Sequence, residues 1–421
     1  MLRSCRGVVV SDLRHTRFDE FIVLQRGFDL PRKEMTGGPY PVVGSTSIIG
    51  YHNRYKVNPP GVVTGRSGSL GFVQYMCDKY WPHNTSLWVK DFKGNFPRYV
   101  YYHLLTLDLK RFNSGVGVPT LNRNDLDTLE LAIPPVSTQR KIAAILSAYD
   151  DLIENNLRRI KILEEMAQLI YCEWFVNFRF PGHGKVRMME SELEMIPEEW
   201  EVRPLASLLA SHIGGGWGKD TAEERHTEAA WVIRGTDIPS ARYYDFSKVP
   251  YRYHTPSNLR PRRLKPGDIV FEVSGGSKDQ PLGRALYVSA ELLQAFRGHP
   301  VICASFCKRI QPDTNKYASE LLYLSFLEAY ESGEIEQFQV QSTGISNFKW
   351  SDYISQVNRC VPPIALQKQF RDLVAPLFLE ISTLGHKNTT LRHTRDLLLP
   401  KLISGELDVS ELDIDMEGAP Q

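Results

Sequence analysis

The same punctuation occurs twice in this chain. Pro134-Pro135 returns as Pro362-Pro363, an offset of 228 residues, and that offset carries Gln139 onto Gln367, Ile153 onto Ile381, Leu163 onto Leu391 and Leu169 onto Leu397 without a gap. Just upstream, Ser114-Gly115-Val116-Gly117-Val118 falls where Ser342-Thr343-Gly344-Ile345-Ser346 stands in the second copy. A repeat this long fixes architecture, because each copy has to solve the same folding problem. The chain has 421 residues, and single cores stop growing near ~250–300. Length and duplication both point to two globular units.

Each copy ends in a helical pattern. After Pro135 the apolar residues run Ile142, Leu146, Tyr149, Ile153, then Ile160, Leu163, Ile170 and Trp174, in steps of four and three, with Asn156 and Ala167 in the remaining slots. The second copy reads Phe370, Val374, Leu377, Ile381, Leu384, Asn388, Leu391, Arg395, Leu398 and Leu402. Steps of this kind make a coiled-coil seam, and two matching seams in one chain are expected to pair with each other. If they pair antiparallel about a pseudo-two-fold axis, Asn156 shares a layer with Asn388, and two buried amides fix the register at some cost in stability. Roughly 36 residues at ~1.5 Å each give ~54 Å, more than one ~34–36 Å turn of B-DNA. Such a rod reads as a spacer, too long to be a packing element for a flanking domain.

The segments before each helix are different. Short runs (Tyr40–Val43, Gly61–Thr64, Thr85–Val89, Ile269–Val273, Arg284–Val288, Val301–Phe306) separated by Gly, Pro and Asn predict strands, and helices are expected at Pro97–Leu107 and Ser319–Ser332. Five polar, glycine-flanked loops stand between them: Gly44–Ser47, Thr64–Ser69, Pro82–Ser86, Arg234–Asp237 and Ser274–Lys278. Turn chemistry accounts for any one alone. As a set in two duplicated domains they supply hydroxyls, amides and guanidinium groups suited to phosphates and base edges. The candidate DNA contacts are Ser45, Thr46, Ser47, Arg66, Ser67, Ser69, His83, Asn84, Thr85, Lys219, Arg234, Thr236, Ser274, Ser277 and Lys278, with Arg66 foremost.

Charge favours nucleic acid only modestly. Residues 1–136 carry 17 Lys/Arg against 11 Asp/Glu, although the whole chain is at +1. A second basic run, Arg252, Arg260, Arg262, Arg263 and Lys265, is what a solvated loop also looks like. Six cysteines make no disulfide scaffold, and Cys303 and Cys307 have no second pair at metal-ligand spacing. No apolar stretch reaches the ~20 residues of a membrane span, and Val8–Val10 is too short for a signal segment. The expected compartment is the cytoplasm.

Enzyme motifs are incomplete. Asn58-Pro-Pro-Gly61 has Gly where an amino-methyltransferase needs a stacking aromatic residue. Gly214-Gly-Gly-Trp-Gly-Lys219 lacks phosphate-loop spacing and the hydroxyl after Lys219, so it reads as a flexible loop. There is no nucleophile elbow and no zinc-binding histidine pair. No site for bond-breaking chemistry emerges, and no metal site.

In order and duplication, several motifs resemble the specificity subunits of type I restriction–modification enzymes. They are Gly38-Pro-Tyr-Pro-Val-Val-Gly-Ser45, Thr64-Gly-Arg-Ser-Gly68, Trp81-Pro-x-Asn-Thr85, Ile133-Pro-Pro-x-x-x-Gln-x-x-Ile142, Leu264-Lys-Pro-Gly-Asp-Ile-Val270, Val361-Pro-Pro-x-x-x-Gln367 and Leu399-Pro-Lys-Leu-Ile-Ser-Gly-Glu-Leu407. The likeness spans essentially the whole chain. It implies an α+β fold: two mixed α/β target-recognition domains, residues 1–136 and 183–364, separated by two long antiparallel coiled-coil helices in 137–182 and 365–405, with a flexible tail at 406–421. It also implies a non-catalytic subunit in which each domain reads one half of a bipartite double-stranded DNA target. The helices would set the spacing and dock two methyltransferase subunits, with helicase-nuclease subunits joining them. S-adenosylmethionine, ATP and magnesium would belong to those partners and none to this chain. The first domain lacks an opening like Ile196-Pro-Glu-Glu-Trp200, so its leading edge is shortened or divergent. Two rivals remain: a self-contained methyltransferase or nuclease, and a protein-binding coiled-coil adaptor without DNA specificity.

Overall fold

The computed structural model describes residues 13–275, 281–342 and 345–414. They divide into one unit made of residues up to Leu152 and from Leu391 onward, and a second made of Ile153–Thr390.

In chain order the first unit contains β1 (Arg14–Arg17), α1 (Phe18–Phe21), β2 (Val23–Arg26), β3 (Tyr40–Val43), β4 (Ile48–His52), β5 (Gly61–Gly65), β6 (Val73–Met76), β7 (Trp81–Pro82), β8 (Ser86–Asp91), α2 (Pro97–Thr106) and β9 (Glu130–Ile133), then the start of α3 (Val136–Tyr171). The strands form sheets in the orders β2-β8-β5-β6, β4-β3-β7 and β1-β9. Alternation buries one face: Val62, Leu24, Leu87 and Val89 join Phe18, Phe21, Tyr99 and Tyr102 in a core that also takes Ile142, Leu146, Leu402 and Ile403.

The second unit adds the hairpin β10 (Met188–Ser191) and β11 (Glu194–Pro197), then β12 (Glu201–Pro204), β13 (Leu209–Gly214), β14 (Glu228–Ile233), α4 (Ile238–Arg242), β15 (Tyr251–His254), α5 (Pro256–Arg262), β16 (Ile269–Glu272), β17 (Ser274–Gly275), β18 (Ala285–Tyr287), α6 (Ala290–Gln294), β19 (Val301–Cys303) and β20 (Cys307–Pro312). There follow α7 (Ser319–Glu331), β21 (Gln339–Ser342), β22 (Ile345–Phe348), α8 (Trp350–Gln356), β23 (Asn358–Val361) and α9 (Ile364–Ile403). Its sheets run β13-β20-β16-β18, β15-β14-β19, β12-β23 and β17-β22-β21. The first three repeat the first unit's topology strand for strand. The run Val301–Phe306, expected as one strand, is instead β19 followed by a turn, in which Cys307 N–H donates to the Ala304 carbonyl.

The duplicated Pro-Pro-x-x-x-Gln motif has a physical job. In the first unit the Gln139 side chain accepts from Phe96 N–H (2.9 Å), the residue that caps α2, and donates to the Pro134 carbonyl (3.0 Å). In the second, Gln367 accepts from Ala318 N–H (2.9 Å), which caps α7, and donates to the Pro362 carbonyl (2.9 Å). Each glutamine is buried and satisfies a helix N-terminus that would otherwise carry an orphan donor. The motif therefore locks a domain's helix to the start of a long helix.

The long helices run antiparallel. Within the first unit Arg395 on α9 bonds Asp150 on α3 (2.6 Å). Within the second, Arg159 bonds Glu380 (2.8 Å) and the Trp174 ring lies 5.8 Å from that of Phe370. Asn156 Nδ2 donates to Asn388 Oδ1 at 2.9 Å, with both residues buried. The Asn388 amide nitrogen finds no acceptor among the described residues. An unpaired buried donor costs about 1–3 kcal/mol, so this pair fixes position more than it adds stability.

The helices are not bare spacers, contrary to the expectation from their length. Ile160, Ile381 and Leu384 lie in one core with Ile233, Val270 and Leu286. Ala167, Tyr171, Phe370 and Val374 lie in another with Phe271 and Phe326. Gly385, in mid-helix, has no room for a side chain because a Cβ would stand 2.3 Å from the Tyr244 ring. The Tyr244 hydroxyl bonds Ser382 at 2.6 Å. The seam is wider than two positions per heptad, which suits packing onto a sheet domain as well as onto a second helix.

Candidate nucleic-acid interface

Three of the sequence-derived loops of the first unit meet at one place. Strand β5 lies antiparallel to β8, which lies antiparallel to β2, while β3 and β7 run parallel. The ends of β2, β3, β5 and β7 and the start of β8 therefore converge. Ser45 Oγ donates to the carbonyls of Ser67 (2.6 Å) and Thr85 (2.9 Å). Arg66 and Ser67 N–H both donate to the Thr85 carbonyl. These bonds tie 45–47, 66–69 and 83–85 into one rim, on which Thr46, Ser47 and Ser69 are exposed.

Arg66 opens onto a groove of about 810 Å³ whose lining includes Gln25, Arg26, Asp29, Asn122, Arg123 and Asn124. Among the described residues its guanidinium makes one long bond, to the Asn84 carbonyl (3.3 Å). Arg26 pairs with Asp29 (3.1 Å), which also accepts from the Asn84 amide. His83 is turned inward: one ring nitrogen meets Thr85 Oγ1 (2.9 Å) and the other the Leu30 carbonyl (3.2 Å). Burial holds its pKa below the usual imidazole value, so it is a neutral anchor of the rim and not a cationic contact. Sequence reasoning passed over Arg26, Asn122, Arg123 and Asn124. The bridge between Ser67 and Thr120, and the bond from Leu121 N–H to the Arg66 carbonyl (2.8 Å), bring that loop beside Arg66.

The second unit builds the same corner with other residues. Gly27 N–H donates to Ser86 and Phe28 N–H to Pro82; equivalently, Gly215 N–H donates to Cys307 and Gly216 N–H to Cys303. A Cβ on Gly27 or Gly215 would stand 2.1 Å from the carbonyl oxygen of His83 or Ala304 respectively, which explains a glycine at both positions. Val273 and Ser274 N–H donate to the Phe306 carbonyl, the arrangement that Arg66 and Ser67 make with Thr85. Trp217, Arg234, Thr236, Ser274, Ser305 and Phe306 line a concavity of about 470 Å³ here.

Several expected contacts are already engaged. Arg234 holds Asp237 (2.8 and 2.7 Å) and the Lys248 carbonyl (2.7 Å). Ser274 Oγ donates to Asn347 (2.8 Å). Lys219 forms a backbone bridge with Tyr253, pairs loosely with Glu223 (3.9 Å), and is not among the residues lining the concavity. Ser277 and Lys278 lie outside the described residues.

The glycine-rich stretch after β13 is pinned, not free. Arg252 stacks on Trp217 (4.2 Å), donates to its carbonyl (2.7 Å) and pairs with Asp220, and Arg262 donates to the carbonyls of Gly214 (3.0 Å) and Gly215 (3.3 Å). Two members of the basic run thus shape the loop in place of being solvated. Burial pushes the Cys303 thiol up to about 12, so it is no poised metal ligand. Among the described residues no group of three or more His, Cys, Asp or Glu could hold a metal ion, and no helix is long and apolar enough to cross a membrane.

A family model described as "Type I restriction modification DNA specificity domain" matches residues 20–165. The type I restriction enzyme MjaIX specificity subunit of Methanocaldococcus jannaschii is 27% identical over 329 residues, covering 76% of this chain and 71% of that one. The type I restriction enzyme HindI specificity subunit of Haemophilus influenzae is 21% identical over 348 residues, covering 69% and 71%. The chain is a homologue of type I restriction–modification specificity subunits. The crystal structure of the S subunit of a type I restriction–modification system from M. genitalium has the same fold, at a TM-score of 0.55 and 16% identity over 93% of this chain and 96% of that one.

Proposed function

We propose that each of the two α/β domains reads one half of a bipartite, double-stranded DNA target. One observation carries this reading: two copies of a single sheet corner, built on equivalent backbone hydrogen bonds, present different side chains at equivalent positions. Duplication alone would give a symmetric reader. Duplication with divergent rims is what an asymmetric, two-part site requires.

The long helices hold the two readers at a set separation and dock two methyltransferase subunits. Ile162, Met166 and Leu169 leave an exposed apolar strip on α3 at the i, i+4, i+7 spacing by which a partner helix is met. Arg158 and Lys161 beside it are paired with Glu154 (2.5 Å) and Glu165 (3.7 Å). S-adenosylmethionine, ATP and magnesium are contributed by partners, with helicase-nuclease subunits joining for restriction.

The test is salt-titrated binding of the chain, assembled with its methyltransferase partner, to genomic DNA fragments. With about six to ten phosphate contacts the affinity falls by about 10³–10⁵ between about 50 and 200 mM salt, while a subset of fragments stays preferred. Binding that ignores salt and DNA, together with tight capture of a protein partner, would favour the adaptor. Methyl transfer or cleavage by this chain alone would favour the self-contained enzyme.

A further inference from the structure

The two corners differ in chemistry, and the difference is position by position. The shared backbone bonds align Thr85 with Phe306 and Arg66 with Val273, and the two glycines place Asp29 opposite Trp217 two residues on. In the first domain these positions offer an arginine with one long internal bond and polar neighbours. In the second they offer two aromatic rings and a valine.

Among the described residues, three of the polar side chains at the second corner are engaged within it. Arg234 is held by Asp237 and Lys248. Glu272 is 1% exposed and receives Arg284 at 2.8 Å. Ser274 is turned to Asn347. Outward lie the hydroxyls of Thr236 and Ser305 and two large rings, Trp217, 40% exposed, and Phe306, 53% exposed. Arg252 stacks on the indole, and the Phe306 backbone is fixed by the two bonds its carbonyl receives. Large exposed rings held on an ordered scaffold, over a concavity floored by Ala304 and Gly275, are built to bury against something apolar.

On the face of a DNA duplex, the apolar group that carries sequence information is the C5-methyl of thymine in the major groove. We propose that the second domain selects its half-site by apolar contact of Trp217 and Phe306 with thymine methyl groups, whereas the first selects by hydrogen bonds centred on Arg66. This rests on the reading of the corners as DNA-reading surfaces and adds the chemistry by which one of them discriminates.

The experiment uses the chain with its methyltransferase partner and a duplex carrying its selected target. Deoxyuridine replaces thymidine in one conserved block at a time, removing only methyl groups. One block is expected to lose affinity by about fourfold for each methyl buried, and the other to lose little. In Phe306→Ala the uracil effect at the sensitive block shrinks, in Phe306→Leu more of it remains, in the double variant Trp217→Ala/Phe306→Ala it vanishes, and in Arg66→Ala it is unchanged. Equal loss at both blocks, loss at neither, or a double Trp217→Ala/Phe306→Ala complex that still binds the target and distinguishes thymine from uracil would overturn the proposal. Failure of the unsubstituted complex to prefer any sequence is seen before uracil is introduced, and refutes the underlying DNA reading itself.

Discussion

Asp268→Ala is expected to lower the stability of the second unit by about 3–5 kcal/mol. Asp268 is 2% exposed and receives Arg309 through two bonds, at 2.7 and 3.3 Å. Its carboxylate also accepts from Lys265 N–H (2.7 Å), closing a turn in which Gly267 adopts φ +87°. This is the physical content of the Leu264–Val270 motif: a turn that needs glycine, and a carboxylate that neutralises an arginine brought in from β20. Without the carboxylate, Arg309 keeps only the Pro261 carbonyl (2.9 Å) among described partners and stays charged in a buried place. Chemical denaturation followed by Trp fluorescence measures the loss. Asp268→Leu combined with Arg309→Met should recover most of it, because removing both charges removes the penalty. A single-variant loss below about 1 kcal/mol would show that the pair is not buried in this way.

Arg66→Ala is expected to lower affinity for the cognate target by about 5- to 150-fold, the equivalent of about 1–3 kcal/mol for a bidentate base contact. The effect should fall on one half-site only. The preference at one or two positions there relaxes, while the other half keeps its full discrimination. Arg26 and Arg123 provide an internal comparison, since both line the same groove. Arg26 is paired with Asp29 (3.1 Å) and Arg123 donates to the Leu24 carbonyl (3.3 Å). If they serve phosphates, Arg26→Ala weakens binding evenly across sequences and flattens the salt dependence by about one ion. Quantitative binding to a panel of single-base variants separates the two patterns. Uniform weakening by Arg66→Ala would move that residue from base reading to phosphate contact.

The architecture was legible in the sequence because its signals are periodic. Pro-Pro-x-x-x-Gln at one offset marks a helix start that occurs twice, and the seam residues follow from heptad spacing. The corners were harder to read. Gly27 and Gly215 occupy equivalent positions but are 188 residues apart in sequence, not 228, because the second unit carries extra elements such as α4 and α6. Fixed-offset comparison therefore never aligns Asp29 with Trp217 or Thr85 with Phe306. Polar composition does not tell which way a side chain turns. His83 and Arg234 look like contact residues, yet their polar atoms complete the rim from inside. Trp217 read as part of a flexible loop and Phe306 as the end of a strand until backbone bonding placed both at the corner. Arg252 and Arg262 carry no linear sign that their partners are glycine-loop carbonyls.

The most direct measurement is selection of bound duplexes from a random-sequence library by the chain assembled with its methyltransferase partner, followed by sequencing. Two short conserved blocks of unlike sequence, separated by an unconserved stretch of constant length, are expected. A single continuous motif, two blocks at variable separation, or no enrichment at all would contradict a chain in which two diverged copies of one sheet corner each read their own part of the target.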